Sequence, residues 1–228
     1  MPKFLLYSVL RGRVLVLSAP FCPASHLPHK ESHDLVPTNI NMSPVTHFLI
    51  GWVTSNYGQS SIRERAVITL AGVVPDIDGL GVVVDFLAHD EKLTLWSKYH
   101  HVLAHNLAFA CLVAAVSFLL AKQRLKTALL ALLSFHLHLF CDLAGSRGPD
   151  GYQWPVPYFF PFSKTWEITW QGQWQLNAWP NFLITFSALA LTFYLAWKRG
   201  FSPLEMVSAR ANEELIKNLR RRFSNPCG

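Results

Sequence analysis

The stretch LLSFHLHLFCDLAG, residues 132–145, combines a strongly apolar run with His136, His138 and Asp142. Extended back to residue 127, the run is long enough to cross a bilayer as a helix. His138 and Asp142 are four residues apart and therefore share one helix face, whereas His136 faces elsewhere. A carboxylate in a lipid-facing helix costs about 2.5–3.5 kcal/mol, which a metal ion or a buried partner would remove. The stretch thus predicts a membrane helix that carries a polar site.

The composition also indicates a membrane protein. Of the 228 residues, 51% are hydrophobic and only 15% are charged, whereas a soluble domain usually carries about 25% charged residues. The net charge of +6 comes from basic residues at the ends and in short connections, which favours a membrane surface over nucleic acid. The four cysteines form no CxxC motif and predict neither a disulfide framework nor a cysteine zinc site. We expect an all-α, multi-pass membrane helical bundle surrounded by membrane lipids, without a nucleic-acid partner.

Three regions follow from the changes in composition along the chain. Residues 1–41 contain basic residues and two apolar runs too short to span a bilayer. They fit a poor signal peptide, a short anchor or translated sequence ahead of the true start at Met42. The main domain is predicted over 42–200, and residues 201–228 are predicted to form a basic amphipathic tail at the membrane surface.

The main domain reads as a series of helices. Ser43 is a predicted N-cap, with Pro44 at the first helical position. Shorter helices are predicted over 62–74 and 79–89, and membrane spans over 102–121, 127–144 and 181–197. Five tryptophans between residues 145 and 180 are typical of a membrane–water interface.

Short connections make consecutive helices antiparallel, so that the start of one helix lies near the end of the next. His47 should therefore approach Asp76 and Asp78, and the histidines at 100–105 should approach the end of the 127–144 helix. A polar site is thus predicted at one end of the bundle. The positive-inside rule predicts that the opposite end is cytoplasmic. The basic residues that mark this opposite end are Arg63, Arg65, Lys122, Arg124, Lys126, Lys198 and Arg199.

The polar residues suit a divalent metal. Asp76 and Asp78 follow Pro75 on a turn, where their carboxylates can reach one or two cations. His100 and His105 form a pair if His100 precedes the helix; otherwise His101 and His105, four residues apart, are the alternative pair. If His100 is a ligand, His101 is expected to be structural. A water bound to such a metal, with a pKa near ~7, would be available as a nucleophile.

Four segments together carry a family resemblance. VTHFLIG, GVVPDIDG, HHVLAHNL and HLHLFCD, the last followed by a glycine and FFPFS, resemble the membrane-bound metal-dependent hydrolases, including the LexA-regulated inner-membrane hydrolase group. The resemblance covers about residues 42–165. Members of that family carry a histidine near the start, a Pro-Asp-x-Asp turn, a His-Arg-Gly-x-Thr-His segment and a His-x-x-x-Asp pair. The family is distantly similar to zinc-dependent phospholipase C.

The resemblance implies a multi-pass protein of the bacterial inner membrane that hydrolyses a phosphoester or lipid-type substrate with metal-activated water. It implies a divalent metal, zinc, and catalytic roles for Asp76 and Asp78. The chain departs from the family pattern where His101 and Val102 replace Arg-Gly, which leaves the substrate open. The implied metal-site residues are His47, Asp76, Asp78, His100, His105, His138 and Asp142.

Other readings are a membrane protein that binds metal only for structure, a transporter or proton relay, and a soluble helical enzyme that docks on the membrane. A relay needs ionisable residues spread through the depth of the membrane. Here His47, Asp76 and Asp142 lie near predicted helix ends, which favours a localised site.

Overall fold

The computed structural model describes residues 9–10, 13–14, 44–58, 61–90, 94–148, 151–163 and 165–223. The chain divides into two compact units, Met1–Thr38 and Asn39–Gly228. In the first unit, strand β1 (Val9–Leu10) pairs with strand β2 (Arg13–Val14) in an antiparallel ladder, which the sequence did not predict. The interpretation of the rest of residues 1–41, and the predicted N-cap at Ser43, lie outside the described residues.

The described part of the second unit is helical, with two isolated bridges, Arg147 with Gln175 and Val156 with Ile168. Two 3-10 helices, Val74–Leu80 and Pro203–Met206, lie between α-helices. The α-helices are α1 (Pro44–Ser55), α2 (Ile62–Ala71), α3 (Gly81–Leu87), α4 (Thr94–Tyr99), α5 (Leu107–Leu120), α6 (Arg124–Gly145), α7 (Trp179–Arg199) and α8 (Ala209–Phe223).

Helix α6 lies at the centre of the second unit and packs against α1, α2 and α5. Glycines allow the close approach of these helices. A Cβ atom at Gly51 would lie 2.7 Å from the backbone oxygen of Thr69, and one at Gly72 would lie 2.6 Å from Ser134 Oγ. Small residues at such crossings let backbones approach closely, and here they bring the end of α2 beside the second half of α6.

Two helices among the described residues, α6 and α7, are long and apolar enough to cross a membrane. A third span is possible if α2 and the segment Val74–Leu87, which bend by 50° at their junction, form one broken crossing. The span predicted over 102–121 is wrong. Helix α5 has 14 residues and measures roughly 21 Å, less than the ~30 Å hydrocarbon core. It begins late because the Asn106 side chain caps it by accepting a hydrogen bond from Phe109 N at 2.9 Å.

Charged side chains stabilise the end of the bundle where α2 and α6 begin. Arg65, on α2, donates two hydrogen bonds of 2.6 and 2.7 Å to Glu205, and both side chains are almost fully buried. Glu64 accepts hydrogen bonds from Lys122 N at 3.1 Å and Gln123 N at 2.7 Å. These contacts join α2 to the chain after α7 and to the start of α6.

Candidate metal centre

Six ionisable side chains converge at the other end of these helices. They come from α1, from the 3-10 helix after α2, from the irregular segment 100–106 and from the last turns of α6. They form two groups with potential ligand atoms within 4.8 Å of one another, and Asp142 belongs to both. We call them the His/Asp cluster, and its members are His47, Asp76, His101, His105, His138 and Asp142.

Asp142 lies at the centre of the His/Asp cluster. Its Oδ2 atom is 3.0 Å from His138 Nε2 and 3.2 Å from His105 Nε2. Its Oδ1 atom is 3.3 Å from His47 Nε2. The residue is only 4% exposed, so its charge must be compensated inside the protein. The carboxylate that the sequence pointed to is therefore surrounded by imidazole nitrogens.

The outer nitrogens of two of these rings have fixed roles. His138 Nδ1 lies 2.9 Å from the backbone oxygen of Gly72, and a carbonyl oxygen only accepts, so we assign a proton to Nδ1. His105 Nδ1 lies 2.9 Å from Asp78 Oδ2 and carries a proton for the same reason. When neutral, both rings therefore direct the lone pair of Nε2 toward Asp142.

With both rings neutral, three acceptor atoms therefore meet without a hydrogen atom between them. The Nε2 atoms of His105 and His138 are 3.1 Å apart, and each is 3.2 Å or less from Asp142 Oδ2. Either a proton on His105 Nε2 or a metal ion among the three atoms would relieve the repulsion. Imidazole nitrogen and carboxylate oxygen are common zinc ligands, and a carbonyl or carboxylate behind each ring is the usual arrangement for metal-binding histidines.

Buried atoms without hydrogen bonds also fit a metal. In the described residues, both ring nitrogens of His47, Oδ2 of Asp76 and Nδ1 of His101 are buried without a hydrogen-bond partner. His47 Nε2 is close to Asp142 Oδ1, but not in hydrogen-bond geometry. Buried polar atoms are nearly always satisfied in native proteins, so these atoms have the unused capacity that a bound cation would fill.

Segment 100–106 holds two rings with opposite behaviour. Burial lowers the pKa of His105, but the carboxylates of Asp142 and Asp78 outweigh this effect and raise it to about 9. Burial, followed by the positive charge of His105, holds the pKa of His101 well below its ordinary value. The two rings stack with centroids 4.4 Å apart. His101 is therefore neutral and able to act as a ligand, whereas His105 must give up a proton before it binds a metal.

The structure brings five of the seven sequence-predicted metal residues into the His/Asp cluster: His47, Asp76, His105, His138 and Asp142. The other two, Asp78 and His100, lie behind His105. Asp78 Oδ1 is 3.2 Å from His100 Nδ1, and Oδ2 accepts from His105 and from Ala104 N at 3.2 Å. Both oxygens are thus used to orient neighbours, and the geometry favours Asp78 as a positioning residue rather than as a ligand.

His101 lies in the second group of the cluster, although it was expected to be structural if His100 is a ligand. Its Nε2 atom is 4.0 Å from Asp142 Oδ2. The histidines do not lie on a helix as expected, because α5 begins only at Leu107 and His101 has a φ angle of 64°. Helical spacing therefore does not decide which of the two neighbouring histidines faces Asp142.

Two further residues support the site, and the sequence marked neither of them as part of it. Gln173 donates from Nε2 to the backbone oxygen of Asp142 at 3.0 Å and accepts from Trp154 N at 3.2 Å. The Trp154 ring lies 5.3 Å from the ring of His101 and 5.6 Å from that of His100. The tryptophan-rich segment, read from sequence only as an interfacial belt, thus also packs against the histidines.

His136 lies outside the His/Asp cluster, as its helix position predicts. Its Nδ1 atom is 2.8 Å from the backbone oxygen of Leu132, and its Nε2 atom is 2.9 Å from Tyr158 Oη. Both nitrogens have partners away from the cluster, so His136 offers a natural control for experiments on His138.

A family model described as YdjM inner membrane protein matches residues 42–210, a range that includes the whole His/Asp cluster. No curated protein matches the chain, and no solved structure matches it. The match confirms that this is an inner membrane protein, in agreement with the apolar helices α6 and α7.

Proposed function

Because the chain belongs to the YdjM inner membrane protein family, we propose that it is a membrane-bound, metal-dependent hydrolase. Its helices form a multi-pass bundle, and the His/Asp cluster holds a divalent metal, zinc, at one end. One observation carries the proposal. The Nε2 atoms of His105 and His138 converge on Asp142 Oδ2 within 3.2 Å, an arrangement that a bound metal ion would stabilise in place of the proton on His105.

The donor set suits two ions. His47, Asp76, His138 and Asp142 supply two nitrogens and two carboxylates for one ion. The second group has fewer protein ligands, His101 and His105 with Asp142. A carboxylate common to both groups is what a bridging ligand requires, and paired ions recur in enzymes that hydrolyse phosphoesters. Three protein ligands also leave a position open, as in catalytic zinc sites.

Three protein side chains have separate roles in the proposed reaction. A bound divalent ion supplies polarisation of an ester oxygen and a water that is acidic enough to attack near neutral pH. Asp76 suits the role of proton acceptor, because its side chain is 22% exposed. Asp78 acts through His105, whose ring it holds in place. Gln173 holds the backbone at Asp142.

Helix α3, which follows the segment carrying Asp76, favours a lipid-type substrate. Its apolar side chains point outward: Val83 is 50% exposed, Phe86 75% and Leu87 73%, whereas Asp85 is 2% exposed. An apolar exterior around a buried carboxylate is unfavourable in water but suits the acyl region of a bilayer. A phosphoester that is part of a membrane lipid could therefore reach Asp76 along α3.

The experiment is hydrolysis of phosphodiester and lysophospholipid panels by the purified full-length protein in detergent. We expect turnover that a chelator abolishes and zinc restores. Asp76→Asn should lower kcat by about 10²–10⁴-fold while the second group, which does not include Asp76, still holds metal, and His136→Ala should behave as the wild type. If the protein binds zinc but hydrolyses nothing in either panel, the metal is structural and the proposed activity is wrong.

A further inference from the structure

A second feature lies between the end of α7 and α8, on elements that take no part in the His/Asp cluster. A groove of about 420 Å³ is lined by Phe193, Tyr194, Trp197, Leu219 and Phe223. All of these lining residues from α7 are well exposed, and Phe223 is 65% exposed. Such an apolar groove on an inner membrane protein calls for an apolar occupant.

The groove lies at the end of a membrane span. Helix α7 is one of the two apolar helices long enough to cross the bilayer, and Lys198 and Arg199 end it. Tyr194 and Trp197 therefore occupy the last turn before the charged residues, a position where aromatic rings lie at the level of lipid headgroups. The groove is thus continuous with the lipid-facing surface of α7.

The rim of the groove is cationic. Lys198 Nζ lies 5.6 Å from the centroid of the Tyr194 ring. Arg220 donates to the backbone oxygen of Trp197 at 3.3 Å and so holds α8 against the end of α7. Arg222, three residues after Leu219 and next to Phe223 on α8, is exposed and makes no ion pair or hydrogen bond among the described residues.

An apolar floor with unpaired cations beside it is complementary to an anionic amphiphile. We propose that the groove between α7 and α8 binds an anionic phospholipid of the inner membrane. One acyl chain packs on Trp197, Leu219 and Phe223, and the headgroup phosphate meets Lys198 and Arg222. A basic amphipathic helix at a membrane surface gains affinity from both buried apolar area and anionic lipid. Binding here is independent of the metal and of hydrolysis.

Native mass spectrometry of the full-length protein in detergent tests the proposal, with phosphatidylglycerol and phosphatidylcholine of matched acyl chains as probes. We expect the wild type to retain phosphatidylglycerol preferentially. Lys198→Gln/Arg222→Gln should lose this preference, by about fivefold for each positive charge removed. Leu219→Ser/Phe223→Ser should weaken retention of both lipids. Zinc content should stay unchanged in every variant.

The matched control is Arg63→Gln/Arg210→Gln, which removes two exposed charges from residues that do not line the groove. This pair should retain lipid as the wild type does. Equal retention of the two lipids by the wild type would overturn the proposal, as would equal losses of preference in the Lys198/Arg222 pair and in the control pair. A dimer that only Leu219→Ser/Phe223→Ser dissociates, with no retained lipid, would instead make a second copy of the chain the occupant.

Discussion

His138 Nε2 lies 3.0 Å from Asp142 Oδ2, one turn along α6, although the proton of His138 is directed away toward the backbone oxygen of Gly72. His105 makes the same approach from another segment, with its Nδ1 proton directed toward Asp78. The hydrogen bonds at the two Nδ1 atoms therefore determine what the two Nε2 atoms can bind. Each of these supporting bonds leads to a measurable consequence.

Replacing Gly72 by alanine tests the support of His138. The new Cβ atom would meet Ser134 Oγ at 2.6 Å, push α2 away from α6 and draw the Gly72 oxygen from His138. We expect a free energy of unfolding lower by about 1–3 kcal/mol and a zinc affinity lower by about tenfold or more. Gly51→Ala is the control, because its Cβ is equally crowded against Thr69 but touches no cluster residue. If both variants lose the same affinity, the Gly72 oxygen does not orient His138.

Replacing Asp78 by asparagine tests whether this carboxylate positions His105. The side chain keeps its shape but loses the charge that favours the Nδ1 proton of His105. Because such partners tune metal-binding histidines, zinc affinity should fall by about 10–100-fold without being abolished. Competition with a chromogenic chelator measures the affinity. Asp90→Asn, which changes a carboxylate that accepts from Thr94 N and is not part of the cluster, should have no effect. Complete loss of zinc would make Asp78 a ligand instead.

Metal affinity should depend on pH in a defined direction. The carboxylates around His105 raise its pKa to about 9, so near pH 7 the ring carries a proton that zinc must displace. Affinity should therefore rise with pH up to about 9 and fall by about tenfold per unit below it. Calorimetry in buffers of different ionisation enthalpy should show at least one proton released per zinc bound at pH 7. His105→Ala should release fewer, and identical proton release in the two proteins would contradict the prediction.

The opposite end of the bundle should affect stability without affecting metal. Glu205→Gln leaves Arg65 buried without its carboxylate partner, and breaking a buried pair in this way costs about 3–5 kcal/mol. Thermal unfolding in detergent measures the loss. Glu213→Gln changes an exposed residue on α8 and should change stability by less than about 0.5 kcal/mol. An unchanged melting temperature in Glu205→Gln would show that the pair contributes nothing.

The sequence predicted α1, α6, α7 and α8 closely, because each has a long apolar or amphipathic pattern with clear ends. It also predicted that histidines and aspartates from distant segments would meet, and the His/Asp cluster confirms this. This meeting follows from the connectivity alone, since antiparallel helices place the start of α1 and the end of α6 at the same end of the bundle.

The sequence could not predict the details of segment 100–106. The cap at Asn106 delays α5, and the left-handed backbone at His101 turns that ring toward Asp142 in place of His100. The different surroundings of Asp76 and Asp78 depend on the 3-10 helix that carries them. The contact of Gln173 with Asp142 joins residues 31 positions apart and follows from no local pattern.

Zinc content per chain, measured by mass spectrometry on the purified full-length protein, tests the metal site most directly. We expect one or two zinc ions in the wild type and in His136→Ala, and close to none in His138→Ala/Asp142→Ala. His105→Ala, which removes a ligand from a different segment, should lose part of the metal while remaining folded by thermal unfolding. Near-zero zinc in a folded wild type supplied with zinc, or equal zinc in the wild type and the double variant, would contradict the metal site.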